Sequence, residues 1–248
     1  YLNSVNNLTF VLTLILLNVF LKSCNNSNSN TLYSPDNKIQ LNFEIINGEA
    51  YYSVKKENNS IVKTSKLGMV LEGEINIGEG LKILNKSINS SNTTWFPDFG
   101  EFDEIIDNYN SMSITLSNDD MSFNILFRVY DDGIAFKYYV PNQSAITNYN
   151  IINEYSEFNL NSDDTAWWIP GFSYRRYEFL YAESSIDQIS KKYFSENVED
   201  ISYDTLGIDA AHTPLTIKKT NGYHISIHEA NLINYSSMTL APKGEGKL

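Results

Sequence analysis

The chain has 248 residues, 42% of them hydrophobic and 13% aromatic, which suffices for a real core and excludes global disorder. Its formal net charge of −12 argues against nucleic acid as a partner, because phosphate binding needs clustered Lys and Arg. The 17 tyrosines and abundant asparagines give a polar, hydrogen-bonding surface suited to neutral ligands.

At the N-terminus, Leu8 to Leu21 is almost wholly apolar. It is too short for a comfortable membrane span and has the length of a signal-peptide core, so the chain is expected to be exported. This stretch runs into Leu21-Lys22-Ser23-Cys24, and Cys24 is the only cysteine. One cysteine cannot form an internal disulfide. Two readings stay open. Cys24 resembles the lipidated cysteine of a bacterial lipobox, although Lys22 is unusual there and a basic n-region is missing. Alternatively, residues 1–24 are an ordinary cleaved signal peptide. The expected location is the periplasm or outer membrane of a Gram-negative bacterium, with the membrane reached only through a lipid anchor. Residues 25–33, led by Asn25 to Asn30, read as a flexible polar tether.

Residues 34–248 read as one all-β domain. Ile39, Leu41, Phe43 and Ile45 alternate with polar residues, Asn47-Gly48 supplies a turn, and Tyr51 to Lys55 returns. Phe123, Ile125, Phe127 and Val129 repeat the pattern, turn at Asp132-Gly133, and come back through Ile134, Phe136 and Tyr138. A third hairpin joins Leu215 and Ile217 to Tyr223, Ile225 and Ile227 through Asn221-Gly222. Three hairpins with primed-turn dipeptides predict a large antiparallel sandwich rather than a closed barrel. One or two short helices are expected, the first at Ser185, where Ser185 and Gln188 form a capping box and Ile186, Ile189 and Tyr193 share a face. Segments 56–64 and 86–94 are rich in Asn, Ser and Thr and read as loops.

The segment 165–181 is the most distinctive. Trp167 and Trp168, a Pro170-Gly171 turn and five further aromatics surround Glu178 and the pair Arg175-Arg176. Such a segment is either dense core or a carbohydrate-facing loop, since aromatic rings serve both. Elsewhere the chemistry is sparse. His224 and His228 lie on one face of a predicted strand but about 13 Å apart, too far to share one zinc. Glu229 falls on the side of Ile225 and Ile227, where it either marks the strand's exit from the sheet or is a buried, hydrogen-bonded carboxylate. Asp119-Asp120, Asp131-Asp132 and Asp163-Asp164 lack the alternating pattern of an EF-hand and read as turn or loop acids. No motif for a nucleophilic serine, a phosphate loop or a zinc protease occurs, and these residues contain no complete catalytic set.

Six blocks in order resemble the N-terminal domain of glycoside hydrolase family 97, the bacterial α-glucosidases and α-galactosidases. They are Ser34-Pro35-Asp36, Thr94-Trp95-Phe96-Pro97, Phe127 to Phe136, Trp167-Trp168-Ile169-Pro170-Gly171, Thr213-Pro214-Leu215-Thr216 and Ser226-Ile227-His228-Glu229-Ala230. The resemblance spans roughly 34–240 and implies a β-supersandwich packed on a following (β/α)₈ barrel that carries the catalytic acid and the base or nucleophile. It also implies calcium at the active site, with one glutamate from the β domain. Glu178 matches that glutamate, with Glu183 as fallback. The implied substrate is an α-linked oligosaccharide.

No catalytic residue is assigned to this chain. It is read as a piece of a longer open reading frame, because it opens on Tyr1 and stops at Leu248 before any barrel strand. The rival reading is a stand-alone surface lipoprotein that binds glycans through Trp95, Trp167 and Trp168 without chemistry.

Overall fold

Period-two alternation of apolar residues builds antiparallel sheets, and in the computed structural model of this chain the three alternating hairpins fall in three different sheets. The structure describes residues 30–73, 75–119, 121–143, 149–171, 177–199 and 209–248. The apolar leader, Cys24, most of the tether, Asp120 and Arg175-Arg176 lie outside the described residues. No helix among the described residues is long and apolar enough to cross a membrane.

Strands β1 (Thr31–Tyr33), β2 (Ile39–Ile46), β3 (Glu49–Lys56) and β4 (Asn59–Leu67) form the first sheet, in chain order. The short β5 (Met69–Leu71) and β6 (Ile75–Asn76) follow, then β7 (Lys82–Trp95), β8 (Ile105–Ser117), β9 (Ser122–Val129) and β10 (Ile134–Tyr139), a second meander. Strand β11 (Ile151–Glu154) pairs with β5. The last sheet has the order β13 (Ala182–Ser185), β12 (Thr165–Trp168), β15 (Leu215–Lys218), β16 (His224–Ile227), and β14 (Ala211–His212) pairs with β17 (Thr239–Leu240).

The two meanders pack face to face, as the sandwich reading requires. Phe43 of β2 meets Phe127 of β9 with ring centroids 5.9 Å apart, and Tyr52 of β3 meets Phe136 of β10 at 5.5 Å. Leu41, Ile114 and Ile125 are fully buried between them. Each such side chain contributes roughly 1.5–3 kcal/mol relative to exposure.

The structure corrects several expectations. Segment 86–94 is strand, and 56–64 is a loop only at the Glu57-Asn58 turn, with β4 starting at Asn59. The turn between β3 and β4 uses Glu57 (φ 49°) and Asn58 (φ 67°), a left-handed pair without the expected glycine. Strand β7 is exposed on both faces along nearly its whole length, so nothing forces apolar residues into alternation there. Of the three predicted turns, Asn47-Gly48 has both φ angles positive (52° and 81°), as a type I′ turn requires. Asp132-Gly133 instead lies in a four-residue loop closed by Tyr130 N–H donating to Gly133 O, with no positive φ.

The helix predicted from Ser185 divides in two. A 3-10 turn spans Ile186–Gln188, and α1 (Lys191–Asn197) starts afresh with Ser190 Oγ accepting from Tyr193 N. In a 3-10 turn residues i and i+3 eclipse, which lets Ile186 and Ile189 both reach full burial before the chain is recapped. Ser185 and Gln188 form the expected capping box, with Gln188 Oε1 accepting from Ser185 N at 3.2 Å.

Asp164 lies in the turn before β12, as expected of a loop acid, but it is not solvated. Its carboxylate is fully buried, accepts from Lys219 Nζ at 2.7 Å, and accepts from the backbone N–H groups of Thr220 and Asn161. Burial pushes its carboxyl up, but Lys219 and the two amides outweigh that and hold it below the usual range. The pair's contribution is therefore present above pH 4 and fades as pH falls through the lowered value. Lys219→Met should cost about 3 kcal/mol at pH 7, because it strands a buried carboxylate. The deficit should narrow at pH 3, where the wild type begins to lose the same contribution. Urea midpoints at the two pH values test this, and a deficit that widens in acid would contradict it.

Candidate functional site

Adjacent strand residues point to opposite faces, and β12 uses this to separate its two tryptophans. Trp168 is wholly buried, its ring 5.8 Å from Phe194 of α1 and its indole N–H donating to Ser184 Oγ at 2.9 Å. It has no open face for a sugar. Trp167 lies on the outer face beside Glu183, its antiparallel partner on β13, and its indole N–H donates to Glu183 Oε2 at 3.0 Å. Its other neighbour is His224 of β16, stacked nearly parallel (8°) at 6.1 Å. Thr216 flanks Trp167 on β15, and both Glu183 and Thr216 are exposed. The outer face of this sheet therefore carries one indole, one imidazole, a carboxylate and a hydroxyl, all held by ladder register.

The chain leaves β12 through Pro170 and Gly171 and is pinned to β14. Pro170 bridges Ala211, Gly171 N donates to Ala210 O at 2.8 Å, and His212 N donates to Ile169 O at 3.0 Å. A Cβ on Gly171 would come within 2.7 Å of the Ala211 carbonyl carbon, so the glycine permits the close crossing.

Further along the chain, the Tyr177 ring lies 4.2 Å from that of the buried His212. Phe179 is buried edge-on against Phe194 at 6.0 Å. Glu178, between these two anchors, is exposed, and Tyr177 N donates to its Oε2 at 3.2 Å. The backbone on both sides is fixed by packing, which holds this carboxylate at the surface.

The remaining candidates are dispersed. Trp95 ends β7 in a different sheet and is half exposed. His228 lies past the end of β16 and is exposed. For Glu229 the strand-exit reading holds, while the carboxylate is hydrogen-bonded but only partly buried. It follows the end of β16, and its carboxylate accepts from Thr213 Oγ1 at 3.0 Å and from Met238 N at 2.6 Å, tying that loop down. Among the described residues, no three of His, Cys, Asp and Glu gather as a metal-binding group. Sequence reasoning missed the Trp167–Glu183–His224 cluster, because its members come from three strands and meet only through pairing.

The glycosyl-hydrolase 97 N-terminal family profile matches residues 32–248, all but the leader and most of the tether. The chain belongs to that family. It is 24% identical to a retaining alpha-galactosidase of Bacteroides thetaiotaomicron, over 98% of this chain and 35% of the relative. Among solved structures it resembles a Glycoside Hydrolase Family 97 enzyme of Pseudoalteromonas sp. strain K8 in complex with panose. That match has a TM-score of 0.76 and 29% identity, and covers 88% of this chain and 31% of the enzyme. A beta-arabinopyranosidase shares the fold with a TM-score of 0.74 at 20% identity, over 88% of this chain and 34% of its own. The chain spans about a third of the length of these relatives.

The inside-out arrangement of the two tryptophans makes a prediction for this domain. Ser184→Ala leaves the buried Trp168 indole N–H without its partner and should cost about 1–3 kcal/mol. Glu183→Ala removes an exposed acceptor from Trp167 and should change stability by less than about 1 kcal/mol, since water takes over. Equal losses in urea unfolding would contradict the assignment.

Proposed function

We propose that this chain is the N-terminal β-sandwich domain of an exported, calcium-dependent α-glycosidase of the α-glucosidase or α-galactosidase type. The carrying observation is the family match across essentially the whole folded domain, beside relatives about three times as long. Hydrolysis of a glycosidic bond needs two carboxylates flanking the scissile bond. In this reading they belong to a (β/α)₈ barrel of the same polypeptide, and the domain described here braces that barrel. The substrate class is an α-linked oligosaccharide, supported by the panose complex and by the alpha-galactosidase name among the relatives.

Within this chain the proposed contribution is Glu178 as one calcium ligand, with Glu183 as fallback. Glu178 suits the part because its carboxylate is exposed while Tyr177 and Phe179 fix the backbone on either side. Glu183 suits it less, because one of its oxygens already accepts from Trp167. Calcium takes six to eight oxygens, so a single glutamate can only complete a site built mostly by other residues. When bound, the ion would supply a fixed positive charge beside the sugar. The apolar leader supports export to the periplasm or outer membrane, with Cys24 as the proposed lipid attachment point.

A second reading, glycan binding without catalysis, is favoured by Trp167, whose ring stacks on His224 at the outer face. The 248-residue chain should release no product from aryl α-glucosides or α-galactosides and should bind calcium only weakly. Turnover abolished by Glu178→Gln, or a sub-micromolar calcium affinity by calorimetry, would overturn this assignment. In the full-length gene product, Glu178→Gln should weaken calcium binding about tenfold or more, in line with the dependence of affinity on ligand charge.

A further inference from the structure

The arm formed by β7 and β8 extends well past the rest of its sheet. Strand β9 ends at Val129, opposite Asn110, so Ile105–Tyr109 of β8 pair with Ser91–Trp95 of β7 alone. Five residues at about 3.3 Å each give a two-stranded ribbon roughly 17 Å long. An isolated ribbon of this kind is marginal in water, but the root of this one is braced. The Arg128 guanidinium lies 4.2 Å over the Tyr109 ring, Tyr109 packs on Tyr130 at 5.2 Å, and the Tyr130 hydroxyl donates to Asp107 at 3.1 Å.

At the far end the apolar residues face solvent. Exposure is 51% for Trp95, 72% for Phe96, 90% for Phe99, 67% for Phe102 and 63% for Ile106. Carboxylates interleave with them, at Asp98, Glu101, Asp103 and Glu104, all exposed. Five large apolar side chains within twelve residues form the kind of patch that marks an interaction surface.

Charge and shape select the occupant. A membrane surface rich in anionic lipid would repel four carboxylates. A second copy across a two-fold axis would bring two such acidic tips together. A sugar site is concave and supplies convergent polar groups, whereas this tip protrudes. A further domain of the same polypeptide fits. Members of the family are about three times as long as this chain. Aromatic side chains bury roughly 150–250 Å² each, so this tip would supply much of an ordinary interdomain contact.

We propose that the β7–β8 arm is a docking peg, inserting Phe96, Phe99 and Phe102 into an apolar pocket rimmed by Lys or Arg on the downstream part of the same polypeptide. The inference rests on reading this chain as the N-terminal part of a longer enzyme.

The test compares maleimide labelling of Phe99→Cys in the 248-residue chain and in the full-length gene product, with the tip peptide quantified by mass spectrometry. Labelling should be rapid in the short chain and at least about a hundredfold slower in the full-length protein, because protection follows the population of the undocked state. In parallel, the double variant Phe99→Ala, Phe102→Ala should lower the melting temperature of the full-length protein by several degrees and leave that of the short chain unchanged. Equal labelling rates in the two proteins would overturn the docking proposal while leaving the enzyme reading intact. A reading frame that stops near Leu248 would remove the enzyme reading itself, and the proposal with it. A short chain that dimerises in light scattering with its tip protected would overturn the proposal in favour of a second copy. Vesicle binding abolished by Phe99→Asp would overturn it in favour of a membrane.

Discussion

The buried pair of Asp164 and Lys219 keys the half of the domain that carries Glu178. Asp164 immediately precedes β12, and its carboxylate reaches the β15–β16 loop through Lys219 and Thr220. Its own carbonyl accepts from Ile186 N, where the 3-10 turn begins. One residue thus joins three segments that are distant in sequence. Two charges removed from water gain little net stability even when well paired. A single residue of slip would break every one of these bonds, so the pair fixes register.

Register matters here because strand side chains alternate with a period of two. A slip of one residue in β12 would turn Trp168 to solvent and push Trp167 inside. With the register held, Trp168 closes the core over Phe194 while Trp167 meets Glu183 and His224 outside. The same ladder aims the chain at Gly171, which slips under the Ala211 backbone, and so sets where Tyr177, Glu178 and Phe179 emerge. The position of Glu178 therefore follows from packing on both of its flanks.

The other half of the domain obeys a simpler rule. Two meanders bury one face each, and alternation is clear wherever a strand lies between them, as in β2 and β9. It vanishes in β7, an edge strand with both faces open, which is why the Asn- and Ser-rich stretch 86–94 gave no strand signal. The aromatic residues of the arm were visible in sequence, but their exposure was not, because a Phe carries no mark of whether anything covers it.

Much was legible from the residues alone. Three hairpins, the all-β class and the family resemblance follow from alternation, turn dipeptides and ordered blocks, because backbone sterics and period-two burial act over a few neighbouring positions. What only the tertiary structure decided are the relations between distant positions. Asp164 finds Lys219 across 55 residues, Trp167 and Trp168 part to opposite faces, and a single expected helix breaks at Ser190 to bury two isoleucines. Each depends on which segments meet in space, and local sequence carries the preference of a residue without the identity of its partner.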